Sequence, residues 1–171
     1  MNVHNMLTFS AITALGFAVL MGTATAQQKT LKEQLVGSWV LVSSETTPPS
    51  GAKRQDFGAN PKGILILDAG GQYAVVQGQT NRPKFKDTKD LRLGATDAEF
   101  AAATRSFAAN FGTWSVNEAD KTLLRKYEIA LIPNNDGLES KASVSLTGDE
   151  LKLVTTSPAG VRGDTVYRRA K

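Results

Sequence analysis

From residue 35 onward the chain is a succession of short runs of apolar and β-branched residues, each ended by residues that suit a tight turn. The runs cover about eight segments, 35–45, 63–68, 72–77, 113–116, 122–131, 138–146, 151–156 and 164–169. Between them stand Pro48-Pro49-Ser50-Gly51, Ala69-Gly70-Gly71, Pro133-Asn134-Asn135-Asp136-Gly137, Gly148-Asp149 and Ser157-Pro158-Ala159-Gly160. Glycine pairs accept the positive φ of hairpin turns, and proline withholds a ladder donor, so these clusters end strands. Most links have hairpin length, and this excludes a βαβ sheet and favours a closed antiparallel barrel.

A single helix interrupts the pattern, expected over 97–110 between the third and fourth strands. Thr96-Asp97-Ala98-Glu99 is a capping box, in which the threonine hydroxyl and the glutamate carboxylate each satisfy an amide of the first turn. Phe100, Ala103, Phe107 and Phe111 recur at helical spacing and form one apolar stripe. Such a stripe either packs against the barrel or closes one end, or else serves as a lid over a ligand.

The first 26 residues read as a removable leader: Met6 to Met21 is mostly apolar, and Ala24-Thr25-Ala26 offers small residues for cleavage before Gln27. The apolar stretch falls short of the ~20 residues that span a bilayer comfortably. The expected organisation is a signal peptide at 1–26 and one domain at 27–171, secreted or periplasmic, with no stable membrane insertion once the leader is gone. The leader would remove His4, the one histidine, and the chain has no cysteine. The remainder excludes a Ser-His-Asp triad, a thiol nucleophile and a Cys/His zinc site, and has no thiol to acylate. No spacing of Asp56, Asp68, Asp149 or Asp164 suggests a metal cage or an acid–base pair, so no metal and no cofactor are expected. The net charge is +4, with basic residues gathered at Arg82-Pro83-Lys84-Phe85-Lys86 and Arg168-Arg169-Ala170-Lys171. No recognition motif accompanies this charge, and nucleic acid is not an expected partner.

Several segments resemble the bacterial lipocalin-like domain family. Leu35-Val36-Gly37-Ser38-Trp39-Val40-Leu41-Val42-Ser43 is similar to that family's opening strand, and Pro61-Lys62-Gly63-Ile64-Leu65-Ile66-Leu67-Asp68-Ala69-Gly70-Gly71-Gln72-Tyr73 to its second strand and hairpin. Asn81-Arg82-Pro83-Lys84-Phe85, Phe111-Gly112-Thr113-Trp114, Gly148-Asp149-Glu150-Leu151-Lys152-Leu153 and Val166-Tyr167-Arg168-Arg169 resemble later family segments in order and spacing. The resemblance implies an all-β, lipocalin-like barrel. Where many members carry a histidine pair, this chain reads Arg125-Lys126.

Alternate residues of each strand of a small barrel face its interior, where a polar group is either paired or part of a binding site. The candidate ligand-binding residues are Tyr73, Arg82, Trp114, Arg125 and Tyr127; none is expected to be catalytic. The resemblance implies that Trp39 plugs one end of the barrel, and its indole nitrogen, if buried, needs an acceptor. Arg82, held on the extended backbone that Pro83 imposes, presents its fork either to a ligand carboxylate or as a clamp at the rim. Arg125, Tyr127 and Ile129 share one face of their strand. If that face turns inward, Arg125 enters the interior beside a phenol and can anchor an anionic head group; if outward, Lys126 and Glu128 must pair inside.

Three functions follow from these residues. The first is a carrier of a small apolar or amphiphilic molecule in the barrel. The second is an envelope interaction module that uses its outer surface, and the third an isomerase or cyclase working without His or Cys. The carrier is the leading expectation.

Overall fold

The computed structural model describes residues 29–86, 89–90 and 93–171, so the expected leader lies outside the described residues. A short helix α1 (Leu31–Leu35) precedes β1 (Gly37–Thr47), β2 (Arg54–Gln55), β3 (Lys62–Leu67) and β4 (Gln72–Gly78). Helix α2 (Asp97–Arg105) follows, then β5 (Phe107–Asn117), β6 (Thr122–Ala130), β7 (Glu139–Thr147), β8 (Glu150–Thr156) and β9 (Arg162–Arg169). The strands pair antiparallel in the order β2-β1-β3-β4-β5-β6-β7-β8-β9, and β1 also pairs with β9. That last pairing closes an eight-stranded barrel, with the two-residue β2 added along β1.

The inward set follows from the alternation. Trp39, Leu41, Leu65, Leu67, Tyr73, Val75, Trp114, Leu123, Ala142, Val144, Leu151, Leu153 and Tyr167 are buried and form one cluster with Leu35. Most of these large side chains lie toward the lower end of the barrel, which α1 covers. The carboxylate of Glu118 accepts the backbone N–H groups of Leu31 and Lys32, both at 2.9 Å, and so docks the first turn of α1 against the β5–β6 turn.

Both helical capping boxes are formed, Thr30 with Glu33 and Thr96 with Glu99. α2 is shorter than the sequence suggests. It ends at Arg105, and Phe107 and Phe111 belong to β5, where Gly78 pairs with Phe107 and Ala74 with Phe111. Residues four apart share a face on a strand as well as on a helix, so the spacing of the phenylalanines fits both. The ladder to β4 pairs this segment's backbone along one side, and it wins. α2 buries none of its residues and stands outside the barrel wall.

A second correction concerns β6. Arg125 pairs with Trp114 and Tyr127 with Gly112, but Ile129 pairs with Phe111, because the register shifts by one residue at Glu128. This bulge turns Ile129 to the outside, where it is 57% exposed, while Arg125 and Tyr127 keep the inward parity.

Candidate ligand site in the barrel interior

The interior has two zones. The lower zone is filled by aromatic and branched side chains. Trp39 donates its indole N–H to the carbonyl of Leu35 at 2.8 Å, and Trp114 donates to the carbonyl of Asp68 at 3.0 Å. Trp39 therefore plugs the lower end, and Trp114 belongs to the same packed floor.

The inward positions of the upper zone are smaller or more polar: Ser44, Gly63, Gln77, Asn110, Ser140, Thr155 and Thr165. Apart from Ser44, each keeps partial solvent contact, so the upper interior communicates with water. Asp56 stands at this rim, accepting hydrogen bonds from the hydroxyls of Ser44 and Thr46 at 3.0 Å each. In the 48–61 connection between β1 and β3, Phe57 packs against the core.

Between the zones lies a cluster built on one cross-strand row. Tyr73 pairs with Gly112, which pairs with Tyr127. Gly112 is required by backbone approach, since a Cβ there would overlap the carbonyl of Lys126. In the next row Arg125 sits between Trp114 and Ser140. Its guanidinium lies 5.7 Å from the centroid of the Tyr73 ring. The side-chain amide of Gln77 donates to the Tyr167 hydroxyl across the barrel.

Two atoms of this cluster are buried without a partner: the Tyr73 hydroxyl and Arg125 Nε. Asn110 Oδ1 is in the same condition one row above. Among the described residues, Arg125 is the charged side chain on the inward face of the upper zone, and no strand position there supplies a carboxylate to it. Burial pushes the Tyr73 and Tyr167 phenols up to about 12, with the Arg125 cation pulling both the other way. The phenols are thus donors and acceptors at ordinary pH, grouped around a cation that has no ion pair among the described residues. Arg125 is half-buried, and an anion beside it is screened less than one beside a fully exposed arginine.

Of the five candidate residues, the structure brings Tyr73, Arg125 and Tyr127 together and places Trp114 beneath them. Arg82 is elsewhere. It is exposed outside the wall, where Nε donates to Ser106 Oγ at 3.1 Å, an NH2 group donates to the Ala103 carbonyl at 3.2 Å, and the guanidinium lies 4.8 Å from the Phe107 ring centroid. It clamps the C-terminal end of α2 to β5. Gln77, Tyr167 and Asn110 were not among the candidates. Their inward parity with Val75, Leu151 and Trp114 was the available signal.

A closed eight-stranded antiparallel barrel with a plugged floor and a polar, partly open upper interior defines a lipocalin-type protein. The sequence profile of the lipocalin-like domain family matches residues 36–166, and the chain belongs to that family. No curated protein matches it. Among solved structures it is similar to a lipocalin-like protein from Bacteroides uniformis, with 13% identity over 80% of this chain and 98% of that one and a TM-score of 0.41. It is also similar to Echinococcus granulosus fatty-acid-binding protein 1, with 16% identity over 81% and 98% of the two chains and a TM-score of 0.38. A redesigned β-barrel gives 13% identity, 84% and 98% coverage and a TM-score of 0.43. Among the described residues no helix is long and apolar enough to cross a membrane.

Proposed function

We propose that this protein is an exported carrier of a small amphiphilic molecule with an anionic head group, held in the upper half of the barrel with its head on Arg125. The observation that carries this reading is the pair of buried, unpartnered polar atoms, Arg125 Nε and the Tyr73 hydroxyl, on neighbouring inward side chains, with no ion pair to Arg125 among the described residues. A buried donor left unmade costs about 1–3 kcal/mol, and a ligand carboxylate or similar anion that takes it recovers that cost. The apolar part of the ligand packs on Val75 and the upper edges of Tyr73 and Tyr127, gaining about 25 cal/mol per Å² of apolar surface removed from water. The floor limits how deep it reaches, so the ligand is short or bent.

The test compares decanoate with decanol by calorimetry and thermal unfolding. The carboxylate is expected to bind ~10-fold or more tightly and to raise the melting temperature; Arg125→Met is expected to abolish that preference while leaving the fold intact. Equal binding of both probes, or a preference that survives Arg125→Met, removes the proposal. For export, the mass of the protein recovered from its host is expected to correspond to a start at Gln27.

A further inference from the structure

The outside of the barrel is divided into two unlike halves. Over β7, β8 and β9 the outward positions carry charge and ion pairs, such as Lys152–Asp164 at 3.1 Å, Arg162–Asp164 at 2.6 Å and Lys141–Glu139 at 3.7 Å. Over β1, β3, β4, β5 and β6 they carry two adjacent apolar rows. One row runs Val40, Ile64, Val76, Ala109; the next runs Ile66, Ala74, Phe111, Ile129. Val40, Val42, Ile66, Val76, Phe111 and Ile129 are each between 40% and 57% exposed. Together they leave roughly 500 Å² open to water, at the upper end for the largest apolar patch of a typical monomer. A shallow hollow of about 350 Å³, lined by both rows around Val76 and Phe111, lies on the β4–β6 side of it.

We infer that this face binds the same face of a second copy of the chain, in a twofold, sheet-on-sheet dimer centred on β3. The argument is the charge pattern of that strand. Its outward column reads Lys62, Ile64, Ile66 and then Asp68, a cation at one end, an anion at the other and two isoleucines between. A twofold axis lying in the interface, perpendicular to the strand and passing beside Leu65, reverses the column onto itself. Lys62 then meets Asp68 of the second copy, and Ile64 meets Ile66, twice over. A membrane surface or an unrelated protein gives no reason for that symmetry. Asp68 Oδ1 accepts the Gln72 backbone N–H at 2.7 Å, which fixes the carboxylate at the end of the column. Lys62 and Asp68 are both exposed.

Size sets the strength. Two convex barrels centred on β3 touch mainly along β1, β3 and β4, and the patch with its charged ends falls near or below the ~800 Å² per partner of a standard interface. The dimer is therefore reversible, not obligate, and it is independent of what the interior holds.

Sedimentation equilibrium of the purified protein over a concentration series tests this. The expected result is a monomer–dimer equilibrium, weakened by added salt, and weakened at least tenfold by Lys62→Asp or by Ile66→Thr. The double variant Lys62→Asp/Asp68→Lys rebuilds the column in reverse and is expected to restore the dimer. A chain that stays monomeric at all concentrations overturns the inference. So does a dimer indifferent to Ile66→Thr, or a double variant, folded by circular dichroism, that is no tighter than Lys62→Asp alone. Co-sedimentation of a monomeric chain with phosphatidylglycerol vesicles, lost in Ile66→Thr, would assign the face to a membrane instead and equally overturn it.

Discussion

The guanidinium of Arg169 lies 4.1 Å from the centroid of the Trp39 ring, and it donates to the carbonyls of Gln34 at 2.6 Å and Val36 at 3.2 Å. One side chain near the end of β9 thus stacks on the residue that plugs the floor and ties down the end of α1. Arg169→Ala is expected to lower the unfolding free energy by about 2 kcal/mol, from the lost charge-assisted hydrogen bonds and the lost stacking. Arg169→Lys keeps the charge but not the planar fork, and is expected to recover only part. Urea denaturation followed by tryptophan fluorescence measures both. A loss below a few tenths of a kcal/mol would mean that the floor does not depend on this arginine.

Gly112 is the position where the wall least tolerates a side chain. A Cβ there would overlap the Lys126 carbonyl and crowd the Glu128 amide at 2.8 Å. Gly112→Ala must therefore push β5 and β6 apart at the bulge, and is expected to cost about 3 kcal/mol or more. Gly137→Ala is a useful control. Its φ of 77° is strained for alanine, but a Cβ there meets no atom within 4 Å. The smaller loss expected for it, about 1 kcal/mol, isolates the steric part of the Gly112 effect.

Alkaline pH should loosen the interior in a defined window. Burial raises the Tyr73 and Tyr167 phenols to about 12 in the folded chain, against an ordinary value of 10.0. The stability this contributes is present below pH 10 and is lost as pH rises from 10 toward 12, where the unfolded chain ionises first. Tyr73→Phe removes that dependence at one site and leaves an apolar ring in its place. Thermal melts across the window are expected to fall less steeply for the variant than for the parent. Identical slopes would mean that the Tyr73 phenol ionises freely in the folded protein.

Acid pH acts through the outer face of β9. Hydrogen bonds from Arg162, with a further contribution from Lys152, hold the Asp164 carboxyl near 2, below its ordinary 3.8. The pairing stabilises the fold above pH 3.8 and is lost as pH falls from there toward 2. Its partners are half exposed, so the contribution is small, about 1 kcal/mol or less. Asp164→Asn is expected to flatten the stability profile between those pH values without changing stability at pH 2. An unchanged acid limb would place the sensitivity elsewhere.

The strands were legible in the sequence wherever one face of an alternating run meets water. β7 shows it well, with Ala142 and Val144 inward and Lys141, Ser143 and Ser145 outward. The closed antiparallel barrel followed from the same patterning, and the plug at Trp39 from the resemblance to the lipocalin-like family. Three features did not. The start of β5 at Phe107 was hidden because a spacing of four residues fits a helix and a strand alike. The bulge at Glu128 is a choice of register made jointly with β5, and nothing local to β6 announces it. The direction of β3 was ambiguous too, since Gly63-Ile64-Leu65-Ile66-Leu67 is apolar on both faces, and only pairing with β1 and β4 sends the leucines inward. Within the site, Tyr73, Arg125 and Tyr127 share an interior because of inward parity. Arg82 falls outside because its segment follows the end of β4 and carries no sheet alternation.

Trp39 and Arg169 seal one end of the barrel. On the proposed carrier reading, entry and exit then share the opposite end, so residues at that doorway, such as Phe57, and the seat at Arg125 can be varied independently of each other.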